Sequence, residues 1–318
     1  VAWPGLADGD AVAGLTGGRV DWSALTELKE SATLAIDGAR PASARAVRLW
    51  YSFTDDAGAA HREAVGTWLA SVTRPVLSPG RARGELVCAS VLSAAARRRV
   101  GAPYAVAAGV RAVERASELL RACGLTVVAD PSAYALSTPR AYEAGTSHLA
   151  IANDLLAAAS FSSARPDAMG RVRLEAYVEP TDRAPALVLA SDGASMGPEV
   201  SCEDDGPTDN VCRLHLAGAE EELWAEARND DPASPWSTVR APGGESTLYE
   251  EVSEVAGATQ AERVSALKAL AARRLRDASA LVERRTVTRP WSPLAMGDAV
   301  EIYYPEAGVS WAGAVVEA

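Results

Sequence analysis

The stretch VRLWYSF at residues 47–53 carries the clearest fold signal in the chain, because its apolar side chains recur at every second position. Val47, Leu49, Tyr51 and Phe53 alternate there with Arg48, Trp50 and Ser52. A period of two is typical of a half-buried β-strand. The turn sequence DDAG follows at residues 55–58, and EAVGTWL at residues 63–69 resumes an apolar strand. Together these stretches predict an antiparallel hairpin.

Further strand signals surround this hairpin. Leu34 and Ile36 alternate with small or polar residues, and residues 84–93 form another apolar run after a break that contains Pro and Gly. Residues 25–95 are therefore predicted to form a small antiparallel β unit. Residues 1–24 are rich in Gly and Ala without a sustained period, so we expect an irregular N-terminal arm there.

The pattern changes between residues 96 and 185, where helices and strands alternate. One helical stripe comprises Val106, Val110, Val113, Ser117 and Leu120, and ends at Gly124. Thr146 can cap a second helix. Strand-like pieces lie between and after the helices, at residues 125–129 and 172–178. This segment is therefore predicted to be an α/β insert.

Residues 186–318 return to strands and contain one long helix at about residues 260–282. The sequence TQAE at residues 259–262 matches a capping box, in which the Thr hydroxyl and the Glu carboxylate each accept a backbone N–H. An alternating strand follows a Gly-Asp turn at residues 297–298. The order of β unit, α/β insert and β unit predicts an α+β fold.

Charge and hydropathy argue against two classes of function. The chain has 31 Lys and Arg against 42 Asp and Glu, which gives a net charge of −11. Proteins that grip nucleic acid normally present a basic face, so no specific nucleic-acid binding is expected. No run of about 18 apolar residues occurs, so no membrane-spanning segment is expected either.

One enzyme motif matches by letter. GASMG at residues 193–197 fits the G-x-S-x-G pattern around a nucleophilic serine, here Ser195. That motif needs a helix directly after the serine, whereas Pro198 and an acidic loop follow here. The downstream histidine, His215, leaves too little chain for the usual order of acid and then base. A serine hydrolase that uses Ser195 remains an alternative, and we assign no catalytic residue.

Metal and cofactor motifs are also missing from the sequence. The three histidines, His61, His148 and His215, lie outside any H-x-x-x-H or C-x-x-C context. The acidic run at residues 204–210 offers oxygen ligands but lacks EF-hand spacing, so we expect a solvated loop there. No phosphate-binding P-loop or dinucleotide-binding glycine motif occurs. We therefore predict neither a metal nor a cofactor.

The four cysteines fall into two pairs by context. Cys88 and Cys123 lie in apolar segments and are predicted to be small buried side chains. Cys202 and Cys212 flank the acidic loop and could form a disulfide in an extracellular particle. Sequence spacing alone does not decide whether their Cα atoms come close enough for that bond.

Four segments resemble tail hub proteins, the tail-tip or baseplate hub-like minor tail proteins of long-tailed phages of GC-rich bacteria. They are AVGTWL at residues 64–69, AGTSHLAIANDLL at residues 144–156, ARNDDPASPWSTV at residues 227–239 and PLAMGDAV at residues 293–300. The resemblance runs from about residue 25 to the C-terminus. It covers neither the N-terminal arm nor the acidic loop between Cys202 and Cys212.

The resemblance implies an architecture of two similar antiparallel β-barrel domains, at residues 25–95 and 186–318, separated by the α/β insert at residues 96–185. Three chains would then supply six barrels around one axis. Such a hub joins the six-fold tail tube, through the distal tail ring, to a three-fold tip. It closes the tube until DNA ejection, and loops rich in Gly and Asp at residues 191–210 are where we expect the gate.

The resemblance also implies partners and a location. We expect a homotrimer that contacts the distal tail protein, the tape-measure protein inside the tube, and tail fibres or adhesion proteins outside. The protein would be part of the virion tail tip after assembly in the host cytoplasm, and it would not be an enzyme.

Two further alternatives stay open at this point. One is the hub of a contractile tail or of a tail-derived injection machine, which neighbouring sheath genes would favour. The other is a host-surface binding module that grips sugars through tryptophans. The candidate side chains for that role are Trp50, Trp68, Trp224 and Trp236.

Overall fold

The computed structural model describes the chain except for residues 2, 4, 10, 13, 39–45, 80, 179–181, 192–194, 205–208, 218–221, 253–254, 256–258 and 281–282. The chain forms two compact units, one of Val1–Leu189 with Trp291–Ala318 and one of Ala190–Pro290. Residues 291–318, which the sequence groups with residues 186–290, thus cluster with the first unit. The division into arm, first barrel, insert and second barrel stays a prediction.

The first unit begins with a five-stranded sheet. Its strands are β1 (Leu15–Trp22), β2 (Glu30–Gly38), β3 (Ala46–Thr54), β4 (Ala60–Ser78) and β5 (Arg81–Ser90). They pair antiparallel in the order β1-β2-β5-β4-β3. β3 and β4 form the hairpin predicted from residues 47–69, with Val47 opposite Trp68 and Phe53 opposite His61. The hairpin prediction is confirmed.

We expected an irregular N-terminal arm at residues 1–24, but residues 15–22 form strand β1. Gly17 and Gly18 pair with Ala35 and Leu34 of β2. Because glycine has no side chain, this strand shows no apolar alternation, which is why the sequence pattern missed it. A Cβ at Gly18 would lie 2.7 Å from the Thr33 carbonyl oxygen, so the close strand approach requires glycine here.

The buried face of this sheet is built around Trp68, which is fully buried. A Cβ at Gly66 would lie 2.3 Å from the Trp68 ring, so the glycine two residues earlier makes room for the indole. The G-x-W spacing at residues 66–68 therefore has a packing cause. The rest of this core is Ala32, Leu34, Ile36, Val47, Leu86 and Cys88.

The insert follows directly after β5. Its elements are α1 (Ser93–Arg97), β6 (Tyr104–Val106), α2 (Ala112–Ala122), β7 (Val127–Ala129), β8 (Arg140–Tyr142), α3 (His148–Ala158), β9 (Arg165–Pro166) and β10 (Val172–Leu174). β7 and β10 pair in parallel, and α2 and α3 pack over a shared apolar core. The α/β character of this segment is confirmed.

Two details of the predicted helices are wrong. Val106 lies in β6 and Val110 precedes α2, so the helix begins only at residue 112 and contains only the later residues of the predicted stripe. Helix α3 is capped by Ser147, whose hydroxyl accepts a hydrogen bond from the Ala150 N–H at 3.0 Å. Thr146 does not cap this helix because its hydroxyl donates instead to the Glu143 carbonyl oxygen at 2.8 Å. Adjacent hydroxyl residues made the two caps indistinguishable by sequence.

The chain then passes through β11 (Leu187–Ala190) into the second unit. Its elements are β12 (Val200–Asp204), β13 (Val211–Leu216), β14 (Leu223–Arg228), β15 (Thr247–Val252), α4 (Gln260–Ala280) and β16 (Glu283–Val287). β12 pairs with β16, and β14-β13-β15 form a three-stranded sheet. Leu267, Ala271 and Leu275 of α4 cover one face of that sheet.

Helix α4 begins with the predicted capping box. The Glu262 N–H donates to Thr259 Oγ1 at 3.3 Å, and the Thr259 N–H donates to Glu262 Oε2 at 3.0 Å. This start is confirmed, while the predicted end at about residue 282 lies outside the described residues. The chain closes with β17 (Ala299–Tyr304) and β18 (Val309–Ala314), in a sheet of order β11-β17-β18.

The fold is thus α+β with mostly antiparallel sheets, as predicted. Among the described residues, none of these sheets closes into a barrel. Within the same residues, no helix combines the length and apolar character that crossing a bilayer requires.

Candidate functional site

Arg48 on β3 is a buried polar group of the first unit with four hydrogen-bond partners. Its side chain is only 2% exposed. The guanidinium donates to Thr67 Oγ1 at 2.8 Å, Asp8 Oδ1 at 2.7 Å, and the carbonyl oxygens of Leu6 and Met169 at 3.1 and 2.9 Å. These bonds offset the desolvation of a buried charge. We call these five residues the Arg48 node.

The node ties the turn at residues 167–170 of the insert to the first sheet. The fully buried Thr67 donates from its hydroxyl to the Ala168 carbonyl oxygen at 2.9 Å. Gly170 has a φ of +81°, and a Cβ there would lie 2.9 Å from the Thr67 Cβ. Glycine at residue 170 therefore allows both the backbone conformation and the close approach to β4.

The same node holds the N-terminal segment. Leu6 and Asp8 bond to Arg48, and the Val1 ammonium donates to the Ala46 carbonyl oxygen at 3.2 Å. Trp3 packs against the apolar core of the insert. The described part of residues 1–9 is therefore fixed to β3 and to the insert.

Glu30 lies beside this junction at the start of β2 and is only 7% exposed. Its Oε1 accepts no hydrogen bond from any described residue. The pKa of this carboxyl is raised to about 8, chiefly by burial; a hydrogen bond from Trp22 opposes the rise, and the negative charge of Asp167 adds to it. At neutral pH the side chain is therefore held mostly as the neutral acid.

In the second unit, Asn210 organises the segment that resembled the hub family. Its side chain is 1% exposed and donates to the carbonyl oxygens of Trp236 and Gly244 at 3.1 and 2.9 Å. Its Oδ1 accepts from the Ser246 N–H at 2.9 Å. One buried amide thus fixes the middle and the C-terminal end of the loop between β14 and β15.

The loop itself is ordered by its own polar residues. Asn229 Nδ2 donates to Ser234 Oγ at 3.1 Å, and Asp231 Oδ1 accepts from the Ala233 N–H at 2.8 Å. Ser237 is fully buried and donates to the Ser234 carbonyl oxygen at 3.0 Å. The NDDPASP sequence therefore encodes a compact turn structure through Asx-type hydrogen bonds.

The outer face of the β14-β13-β15 sheet carries aromatic and charged side chains. His215 stacks on Trp224 with ring centroids 4.4 Å apart, and Tyr249 lies 5.9 Å from Trp224. Beside them Arg213 pairs with Glu226 at 2.7 Å, and Arg228 pairs with Glu226 at 3.2 Å. Both signs of charge are present, so this face has no strong net charge.

The tryptophans named for sugar binding differ in exposure. Trp68 is buried in the first sheet, and Trp236 keeps its indole nitrogen buried. The Arg62 guanidinium covers the Trp50 ring at 4.2 Å from its centroid. Trp224 is 47% exposed, so it is the member of this set that presents a ring to solvent.

Ser195 does not have the geometry of a nucleophile elbow. Its hydroxyl donates to the Ala190 carbonyl oxygen at 2.8 Å and accepts from the Ala190 N–H at 2.9 Å. Strand β12 follows the serine where the elbow requires a helix, while residues 192–194 of the motif lie outside the described residues. These bonds give Ser195 the role of a turn-stabilising hydroxyl.

The histidines and cysteines do not assemble into a site. His61 pairs with Asp55 at 2.7 Å, His148 lies 3.4 Å from Cys123, and His215 lies 3.7 Å from Glu251. Within the described part of the chain, no group of three His, Cys, Asp or Glu residues could hold a metal ion.

The considered Cys202–Cys212 disulfide is absent from the structure. Both residues are free thiols, one exposed on β12 and the other buried under α4. The two cysteines lie in different sheets, so their short separation in sequence does not lead to a disulfide bond. The predicted gate loop at residues 191–210 is described only in part, since residues 192–194 and 205–208 lie outside the described residues.

Comparison with solved structures shows that nearly the whole chain shares its fold with tail proteins. The tail protein from Neisseria meningitidis MC58 matches at 14% identity and a TM-score of 0.66, over 94% of this chain and 85% of that chain. The 43 kDa tail protein of prophage MuSo2 from Shewanella oneidensis matches at 10% identity and a TM-score of 0.63, over 96% and 89%.

A prophage tail protein from Listeria monocytogenes EGD-e matches at 12% identity and a TM-score of 0.50, over 95% of this chain and 85% of that one. At these identities the likeness shows a shared fold. No protein-family model and no curated protein sequence matches the chain.

Sequence reasoning missed the Arg48 node and the buried Glu30. Arg48 occupies a polar position of the alternating strand, and its partner Met169 is 121 residues away. No local pattern reports such a contact. The sequence also did not indicate the role of Asn210, although the loop that Asn210 binds contains a segment that resembles tail hub proteins.

Proposed function

We propose that this protein is a structural component of a phage tail, and more specifically the hub ring at the tail tip. The observation that carries the proposal is the likeness in fold to the Neisseria meningitidis tail protein across 94% of the chain. The four motifs that resemble tail hubs support it from the sequence side. The ordered loop between β14 and β15 gives one of those motifs a structural cause.

In this proposal three chains form a ring that joins the six-fold tail tube and distal tail ring to a three-fold tip. The segments at residues 25–95 and 186–318 would supply two barrel-like units per chain, hence six in the ring. In the described sheet, β1 and β3 are edge strands. Neighbouring subunits would cover such edges, which otherwise invite uncontrolled pairing.

The role is mechanical. The hub would contact the tape-measure protein inside and fibres or adhesion proteins outside, and it would keep the tube closed until DNA ejection. The net charge of −11 suits a wall past which DNA slides without adhering. The protein would be assembled in the host cytoplasm and would act in the virion, with no enzymatic step, no cofactor and no specific nucleic-acid binding.

A hub of a contractile tail or injection machine is the variant of this proposal that sequence and fold leave open. A sheath gene beside the gene for this chain would favour that variant. Its absence from the same gene cluster would favour a non-contractile tail.

Host-surface binding is the second candidate function, and the exposed Trp224–His215 stack is the observation that favours it. Planar rings can stack on the apolar faces of sugars. Binding of the protein to a host-glycan array that Trp224→Ala abolishes and Trp50→Ala leaves intact would support this function. A protein with no glycan binding would exclude it.

Immunogold labelling of purified particles with an antibody to this chain tests the main proposal. We expect gold at the tip of the tail after mild treatment that exposes the tip. Gold distributed along fibres would instead indicate that the protein is part of the host-binding apparatus. Particles without label would contradict a structural role. Particles from a strain that lacks the gene are the matched control.

A further inference from the structure

The junction between the first sheet and the insert contains a buried acid with an incomplete set of partners. Glu30 is 7% exposed, and its Oε1 accepts no hydrogen bond from the described residues. Trp22, which lies opposite Glu30 in the β1–β2 pairing, hydrogen-bonds to the carboxyl from its side chain. A neutral carboxylic acid tolerates this surrounding, whereas a carboxylate lacks a counter-charge.

Within the described part of the chain, the charged groups that face Glu30 do not supply a counter-charge. From the residue just before β2, the Lys29 ammonium donates to the Ala24 carbonyl oxygen at 2.6 Å. From the insert, the neighbour is the like charge of Asp167. Asp167 is in turn paired with Arg171 at 2.8 Å and approached by Arg173 at 3.5 Å. These two cations therefore serve Asp167.

Asp167 opens the turn whose next residues are bound to the Arg48 node. The Ala168 carbonyl oxygen accepts from Thr67, and the Met169 carbonyl oxygen accepts from Arg48. Leu6 of the N-terminal segment contacts the position of a Gly170 Cβ at 3.4 Å and also bonds to Arg48. Displacing the turn would therefore remove partners from the N-terminal segment as well.

We propose that protonated Glu30 keeps a clasp closed between the first sheet and the insert, and that loss of its proton releases the turn at residues 167–170 together with Leu6 and Asp8. The negative charge would be stabilised by water once the turn moves away. Arg48 would lose its bond to Met169, and the Leu6 contact beneath it would open. The clasp is a proton-controlled element within the first unit.

The direction of the pH dependence follows from the linkage between proton binding and opening of the clasp. Burial raises the pKa of Glu30 to about 8 in the closed state, against an ordinary value of 4.5 when the carboxyl is solvated. Between these values the closed state holds a proton that the open state has released. Opening therefore becomes up to about tenfold more favourable for each pH unit in this window, and it levels off above about pH 8.

Hydrogen–deuterium exchange of the whole chain from pH 5.5 to 9.5 tests the proposal, with rates corrected for intrinsic exchange on unstructured reference peptides. We expect protection of peptides covering residues 1–9 and 165–173 to fall with rising pH and to level off above about pH 8. Glu30→Gln, which mimics the neutral acid, should abolish this pH dependence. Glu27→Gln changes an exposed carboxylate nearby and should keep the wild-type profile.

Wild-type protein alone already decides the question if the Gln variant folds poorly. A loss of protection that is confined to the two segments supports the clasp. Protection that stays constant with pH, or that falls uniformly over the first unit, would overturn it. An unchanged pH profile in a folded Glu30→Gln variant would also overturn it.

Discussion

Arg48 on β3 and Arg228 on β14 are both strand arginines with several hydrogen-bond partners, but they lie in opposite surroundings. The Arg48 side chain is 2% exposed and bonds to a hydroxyl, a carboxylate and two backbone carbonyls. Arg228 is 33% exposed and pairs with Glu226, Glu245 and Asp230. Burial, and not the number of partners, decides how much each arginine matters, because water can replace the partners of Arg228 alone.

Arg48→Met gives the largest expected effect. The substitution leaves the carbonyls of Leu6 and Met169 and the Thr67 hydroxyl without their donor in a buried place. We expect the free energy of unfolding of the first unit to fall by roughly 3–4 kcal/mol. Urea titration followed by amide exchange measures this change. A loss no larger than that of a surface substitution would show that burial does not decide the comparison.

Asn210→Ala tests the same reasoning in the second unit. Three backbone groups, at Trp236, Gly244 and Ser246, lose a buried partner. We expect a loss of about 2–3 kcal/mol and faster amide exchange in the loop between β14 and β15. Asn229→Ala is the control, since Asn229 is only half-buried and bonds within the loop. Equal losses in the two variants would count against the dominance of burial.

Gly170→Ala probes the close approach beneath the Arg48 node. Its left-handed backbone and the 2.9 Å contact with Thr67 both oppose a side chain. We expect a loss of about 2 kcal/mol. Gly145→Ala separates the two causes, because Gly145 also has a positive φ, +92°, yet nothing lies within 4 Å of its Cβ position. Its smaller expected loss is about 1 kcal/mol. Thermal unfolding of both variants provides the measurement, and equal losses would remove the steric part of the argument.

Arg228→Met should give the smallest effect. Hydrogen bonds to Glu245 and Glu226 raise the pKa of this guanidinium well above its usual range, but the group is exposed and water screens the interaction. We expect the melting temperature to stay within measurement error at physiological salt. A clear drop in melting temperature would mean that the exposed ladder acts as a network, and the contrast with Arg48 would then have to be abandoned.

The sequence predicted those parts of the fold whose signals are local. The alternation at residues 47–53 gave the β3–β4 hairpin, and TQAE gave the start of α4. It missed β1, whose glycines carry no pattern, and it chose Thr146 over Ser147 as a helix cap because adjacent hydroxyls look alike. Each miss has a specific chemical cause.

The residues of the candidate site were harder to foresee. A glutamate in a sequence is expected to be exposed, so no local pattern indicates that Glu30 is only 7% exposed. The partners of Arg48 lie 19 to 121 residues away along the chain. Such contacts follow from tertiary packing, which periodicity and spacing do not encode.

Cryo-electron microscopy of the tail tip in purified particles is the sharpest test of whether this chain forms the hub of a phage tail tip, as we propose. We expect density that fits both compact units, with three copies around the tail axis below the six-fold tube. Density for this fold repeated along the tube, or its absence from the tip of particles that contain the protein, would contradict it.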